Sequence, residues 1–176
     1  MRVEPLPADQ WDEAVQRSLA EMLPEDRRNP RDAGNLLATL ARHPELARAF
    51  LRFGGYLLTR STLPPRLREQ VILRVGHRRG CAYEWEHHVT LGKRVGLSDA
   101  DIAAAQSGEA VDEFDRTLLR AVDELDEKSN LSDATWAALG ERLDERQLMD
   151  LIFTIGGYTA LAMALNTFGV EVERER

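Results

Sequence analysis

This sequence predicts an all-α bundle, and three observations carry the prediction. Apolar residues recur at spacings of three and four along nearly every stretch, no stretch alternates with the period of two that a half-buried strand needs, and prolines, glycines and capping residues fall at the joints. The 176 residues suit one domain, 1–176, large enough to bury a core without covalent staples.

In chain order, Pro7 and Asp9 followed by Trp11, Ala14, Val15, Leu19 and Leu23 predict a capped amphipathic helix that stops before Pro24. A polar loop with two prolines runs on to Gly34, so residues 1–34 suit an arm reaching over a neighbouring subunit. A short helix is expected over Asn35–Arg42. Pro44 then opens a helix through Leu46, Phe50, Phe53 and Leu57 that gives out near Ser61. Residues 63–97 read as a helical hairpin: Pro64-Pro65 starts the first helix, a break falls over Gly76–Gly80, Cys81 opens the second, and Gly96 closes it. Ser98 and Asp101 have capping-box spacing for a helix to about Gln106. Asp112–Lys128 repeats the helical period at Phe114, Leu118, Leu119, Val122 and Leu125, and Ser132 caps a helix with Trp136 and Leu139. The last helix, Glu145–Phe168, is apolar nearly all round.

Leu151–Val170 holds no charge and has the length of a membrane span. Thr154, Gly156, Gly157, Thr159, Asn166 and Thr167 dilute it, and Asp150 and Glu171 flank it without a basic anchor, so it reads as a core or interface helix rather than a membrane one. So much apolar surface predicts a homo-oligomer. A net charge of −7, well mixed, excludes an electrostatic nucleic-acid footprint. The locally basic run Arg66, Arg68, Arg74, Arg78 and Arg79 reads as a solvated or subunit-contacting face. One cysteine and no apolar leader make a reducing, cytoplasmic setting the expectation. A faint echo aligns Arg66–Gly76 with Arg146–Gly156, a helical pseudo-repeat in which Met149 stands where Glu69 does.

Chemistry concentrates between Glu69 and His88. Cys81, Glu84 and His88 stand at i, i+3 and i+7 of one helix and share a face. Glu69 shares a stripe with Ile72, Leu73 and Gly76, so it faces apolar surroundings from the preceding helix. The hairpin thus gathers one thiol, two carboxyls and an imidazole. Cys81 at a helix N-terminus reads as a thiolate of lowered pKa or as an inert buried residue, and His88 reads as a proton shuttle. Glu84 reads as an acid or base, or as the group that orients His88. Tyr83 and Trp85 either wall the pocket, binding substrate, or pack in the core. No metal or other cofactor is expected. Glu84 and His87 have the Glu-x-x-His form of di-iron bundles but lack a second copy, and one zinc on Cys81, Glu84 and His88 is the weaker alternative.

Over Leu63–Leu97, and again through Gly156-Gly157-Tyr158 and Asn166–Glu171, the chain resembles the carboxymuconolactone decarboxylase family and its alkyl hydroperoxidase D-like relatives. In the hydroperoxidase branch a glutamate stands twelve residues before a Cys-x-x-Cys-x-x-x-His motif, and Glu69, Cys81 and His88 fall on those positions. The resemblance implies a helical bundle of the alkyl hydroperoxidase D-like type, assembled as trimers or hexamers, with the site near subunit contacts. It also implies a departure, since Glu84 replaces the second cysteine, the principal attacking thiol of that branch. Dithiol turnover is then closed, and an external thiol would have to resolve an oxidised Cys81. The decarboxylase branch uses acid and base groups, which Glu69, Glu84 and His88 supply. Three readings follow: acid–base chemistry (decarboxylation, lactone chemistry or isomerisation) on a small organic acid or carbonyl compound; a one-cysteine peroxidase of the peroxiredoxin-like antioxidant kind; or a non-catalytic oligomeric binding protein.

Overall fold

The computed structural model describes residues 1–173, and every regular element among them is helical. The α-helices are α1 (Glu13–Ser18), α2 (Gly34–Leu40), α3 (Pro44–Thr59), α4 (Pro65–Arg78), α5 (Ala82–Arg94), α6 (Asp99–Ser107), α7 (Glu113–Lys128), α8 (Asp133–Gly140) and α9 (Glu145–Phe168), with 3₁₀ turns at Ala8–Gln10 and Glu25–Arg27. They fall into two compact units, one of residues 1–60 and 164–173 and one of residues 61–163.

In the first unit the opening helix is shorter than the periodicity suggests. The indole N–H of Trp11 donates to the Leu6 carbonyl at 3.1 Å, and the capping residue is Asp12, not Asp9, with its carboxylate accepting from the Val15 amide at 2.9 Å. The helix therefore starts at Glu13 and closes at Ser18, and turns carry the chain to Leu23. Leu19, Leu37, Ala47 and Leu51 form this unit's core, with Trp11 and Phe50 packed on it.

The second unit is built around α4, which packs against α5, α6 and α7. Leu63, Val71, Ile72 and Val75 meet Phe114, Leu118 and Val122 of α7 and Leu148, Leu151, Ile155 and Tyr158 of α9 in one cluster. Leu73 joins Leu97, Ala104, Ala105 and Leu119 in a second cluster on another side of α4. Arginines of α4 lock α7 alongside. Arg66 grips Asp115 with both terminal nitrogens at 3.2 and 2.8 Å, Arg74 grips Asp123 at 2.8 Å twice, and Arg78 reaches Asp126 at 2.9 Å. Arg79 also pairs with Asp126. Of the basic run, Arg66, Arg74, Arg78 and Arg79 thus pair with acids of α7, whereas Arg68 bonds Glu69. Arg66, Gln70 and Arg74 lie along one stripe of α4 at intervals of four. Gln70, fully buried between the two gripping arginines, leaves both its amide oxygen and its nitrogen without a hydrogen bond.

Capping follows the sequence closely elsewhere. Ser98 and Asp101 complete a capping box, and Asp112 and Ser132 cap α7 and α8. Asp144 and Gln147 bond each other's backbone amides at 2.9 and 3.0 Å at the start of α9, a reciprocal cap that the sequence reading passed over. The long apolar helix α9 has the length and composition of a membrane span, yet its Leu148, Leu151, Ile155, Tyr158 and Ala162 side chains are buried within the protein. Its opposite side shows Met149, Phe153 and Met163 at 53 to 60 % exposure, with the exposed Gly156 and Ala160 between them.

Candidate active site

The α4–α5 hairpin places the site. α4 stays helical through Gly76 to Arg78, so the break expected over Gly76–Gly80 is confined to the far end of that stretch. The turn falls at Gly80, whose φ of +56° is the left-handed conformation that glycine adopts without strain. At Gly76 an added Cβ would sit 3.5 Å from the Trp85 amide and 3.6 Å from the Glu84 Cβ, so α5 crosses closely there. At the other end, Gly96 takes φ +95° and Leu97 bonds back to the Gly92 carbonyl at 2.9 Å, a Schellman closure whose leucine lies over Gly92. Gly92 in turn faces the Glu69 Cβ at 3.7 Å from where its own Cβ would be. Bare backbone at both ends of α5 thus brings Glu69 to the face that carries Glu84 and His88.

The result is an enclosed group. Glu69, Cys81, Glu84 and His88 are 1, 1, 2 and 7 % exposed. His88 Nδ1 lies 2.6 Å from Glu69 Oε2, and Arg68 Nε donates to Glu69 Oε1 at 3.2 Å. With one oxygen accepting from a guanidinium, Glu69 accepts from the imidazole as well, so Nδ1 carries the hydrogen and Nε2 is left with the lone pair. Tyr158 of α9 sets its ring edge-on to His88, centroids 5.1 Å apart at 88°. Burial pushes the Tyr158 hydroxyl above its ordinary value, the charges of Glu69 and Glu84 add to this, and that of Arg68 opposes it. Tyr158 and Arg68 are members of the site that sequence reasoning missed. The signal for the first was the Gly156-Gly157-Tyr158 segment of the resemblance, and for the second an arginine directly beside Glu69.

Glu84 and Cys81 differ from expectation in instructive ways. Both carboxyl oxygens of Glu84 are buried with no hydrogen-bond partner, and loss of water alone pushes its pKa up to about 8. Glu84 therefore keeps its proton at neutral pH. Cys81 is the N-cap residue of α5, but its sulfur makes no capping hydrogen bond. Burial raises the thiol to about 11, the nearby amides of Glu84 and Tyr83 work the other way, and the Glu84 charge adds to the rise. Of the two readings of Cys81, the lowered thiolate is reversed because desolvation outweighs the dipole, and the inert buried residue fits.

Of the two aromatics read as walling the pocket or packing in the core, Trp85 takes the second role. Tyr83 stacks on His87 at 4.2 Å, and Trp85 packs on the Leu73 cluster with its ring 6.0 Å from His77. Among the described residues no three His, Cys, Asp or Glu side chains are grouped as a metal set.

Residues 44–127, which include the whole hairpin, match the model of the carboxymuconolactone decarboxylase family. No curated protein matches the sequence significantly. Solved structures share the fold. A peroxidase-related protein from Ralstonia eutropha JMP134 with an alkylhydroperoxidase AhpD core superposes with TM-score 0.78 at 15 % identity, covering 98 % of this chain and 94 % of its own. A peroxidase-related protein from Silicibacter sp. TM1040 gives 0.76 at 13 %, with 98 and 93 % covered. The debrominase Bmp8 gives 0.73 at 18 %, with 97 and 91 % covered.

Proposed function

We propose that this chain is an enzyme that moves protons on a small organic acid or carbonyl compound, by decarboxylation, lactone chemistry or isomerisation. One observation carries the reading: a neutral, unpartnered carboxyl on Glu84 lies one helical turn from an imidazole whose other nitrogen is fixed by Glu69. That is an acid and a base on one face. His88 Nε2 removes a proton from carbon or from a hydroxyl, and Glu69 stabilises the imidazolium that forms. Glu84 delivers its proton to the oxygen or carbon where negative charge develops. Enclosure keeps water from quenching the intermediate.

The one-cysteine peroxidase reading rests on Cys81, and a thiol raised to about 11 and 1 % exposed is a poor nucleophile at neutral pH. The peroxidase-related neighbours keep peroxidase activity through Cys81 as the alternative to be tested. The experiment is turnover of a panel of lactones, β-keto acids and enolisable carbonyl compounds by wild type and three variants. His88→Ala and Glu69→Gln should each lower kcat by about 10²-fold, the usual scale for losing a general acid or base, while Cys81→Ser keeps near-normal activity. Full activity in the first two variants, or its abolition in Cys81→Ser, overturns the reading.

A further inference from the structure

Arg68 is a guanidinium put to little use. The residue is 9 % exposed, it sits in the first half of α4, and its single hydrogen bond among the described residues runs from Nε to Glu69 at 3.2 Å. Nη1 and Nη2, four N–H donors, make no hydrogen bond there. The contrast with Arg66 and Arg74 on the same helix is direct, since each of those closes its fork on an aspartate of α7. A largely buried cation whose fork meets solvent and no protein acceptor leaves its charge-assisted hydrogen bonds open to a ligand. Its location favours the ligand. Arg68 touches Glu69, which touches His88, which meets the Tyr158 ring, and the Tyr158 hydroxyl feels both Arg68 and Glu84. Arg68, His88 and Tyr158, each 7 to 9 % exposed, are also where this group still meets solvent.

We propose that the open fork of Arg68 receives the carboxylate of the substrate bidentately and holds it beside the Glu69–His88 pair. The planar fork matches a carboxylate in geometry as well as charge, which a neutral carbonyl compound does not. Within the proton-transfer reading, on which this rests, the substrate class narrows to a carboxylic acid with an acidic or cleavable position a bond or two from its carboxylate. Arg68 is then the residue that selects it.

The test is binding, so it does not depend on turnover. Acetate and benzoate, with acetamide and benzamide as neutral counterparts, are titrated into wild type, Arg68→Lys, Arg68→Gln and His88→Ala, with circular dichroism to establish folding. We expect saturable binding of a carboxylate and none of its amide, a loss of roughly tenfold or more in Arg68→Lys, and retention in His88→Ala. Lysine keeps a positive charge beside Glu69, so a purely structural role for Arg68 leaves Arg68→Lys binding unchanged. That result overturns the proposal, as does equal binding of the amide or no saturable binding to wild type. If Arg68→Gln fails to fold, Arg68→Lys alone decides. Carboxylate binding that depends on Arg68 in a protein whose His88 and Glu69 variants keep full activity would leave the subsite standing and remove the proton relay.

Discussion

Glu84 shows how burial of an unpartnered carboxyl sets a pH range. Its pKa of about 8 against an ordinary 4.5 means that the folded chain holds a proton that the unfolded chain releases between those values. Stability from this group is therefore full below about pH 4.5 and is lost as pH rises to about 8. Thermal melts of wild type and Glu84→Gln should diverge over that window, the variant losing less on going from pH 5 to pH 8. Activity that needs Glu84 as an acid should fall above about pH 8, and this alkaline limb should vanish in Glu84→Gln along with most of the rate. A pH–rate profile whose alkaline limb persists in the variant rules out Glu84 as the proton donor. From the sequence, the positions of Glu69, Cys81, Glu84 and His88 on one hairpin were legible because i, i+3, i+7 spacing is geometry. The state of Cys81 was not, since the helix end and the burial act in opposite directions and only the packing decides between them.

At the scale of elements, two glycines that look alike in sequence do different work. An added methyl at Gly76 meets its neighbours at ordinary contact distances of 3.5 to 3.8 Å, whereas at Gly92 it would fall 2.7 Å from a Leu97 methyl that is itself 4 % exposed and packed in a cluster. Gly76→Ala should be neutral or stabilising by up to about 1 kcal/mol, the helix-propensity gain. Gly92→Ala should lose about 1 kcal/mol or more, since overpacking outweighs that gain, and it should lower kcat by shifting Glu69 against His88. Urea midpoints of the two variants check both signs. Helix order and most caps were legible, because Ser98, Asp112 and Ser132 declare themselves locally. The α4 boundary was not, because Gly76 is used for close approach and not to end a helix. The ladder to α7 was hidden in matched spacing: Arg66 and Arg74 stand eight apart, as do Asp115 and Asp123.

At the scale of the molecule, the exposed side of α9 presents Met149, Phe153, Gly156, Ala160 and Met163 at spacings of four, three, four and three, the seam on which one helix packs on another. We expect a homo-oligomer through this seam, with a solution mass that is a multiple of 19.9 kDa. Met149→Lys with Met163→Lys should shift it toward the monomer in light scattering, and a wild-type mass of 19.9 kDa at micromolar concentration removes the expectation. The same seam explains why the apolar length of α9 was readable while its division between core and surface was not, since a helix apolar all round carries no moment to orient it.

Gln70 turns the core into a site for engineering. A fully buried amide with neither end bonded opposes folding by the desolvation of both groups, about 1–3 kcal/mol each in general. Gln70→Leu or Gln70→Met, of similar volume, should therefore raise the melting temperature by several degrees without touching the Glu69–His88 pair. A lowered melting temperature would mean that the amide satisfies a need the apolar side chains do not. If the gain is found, the protein can be made hardier at the position next to the carboxylate that holds its proposed base, and a thermally robust version for screening substrates is one codon away.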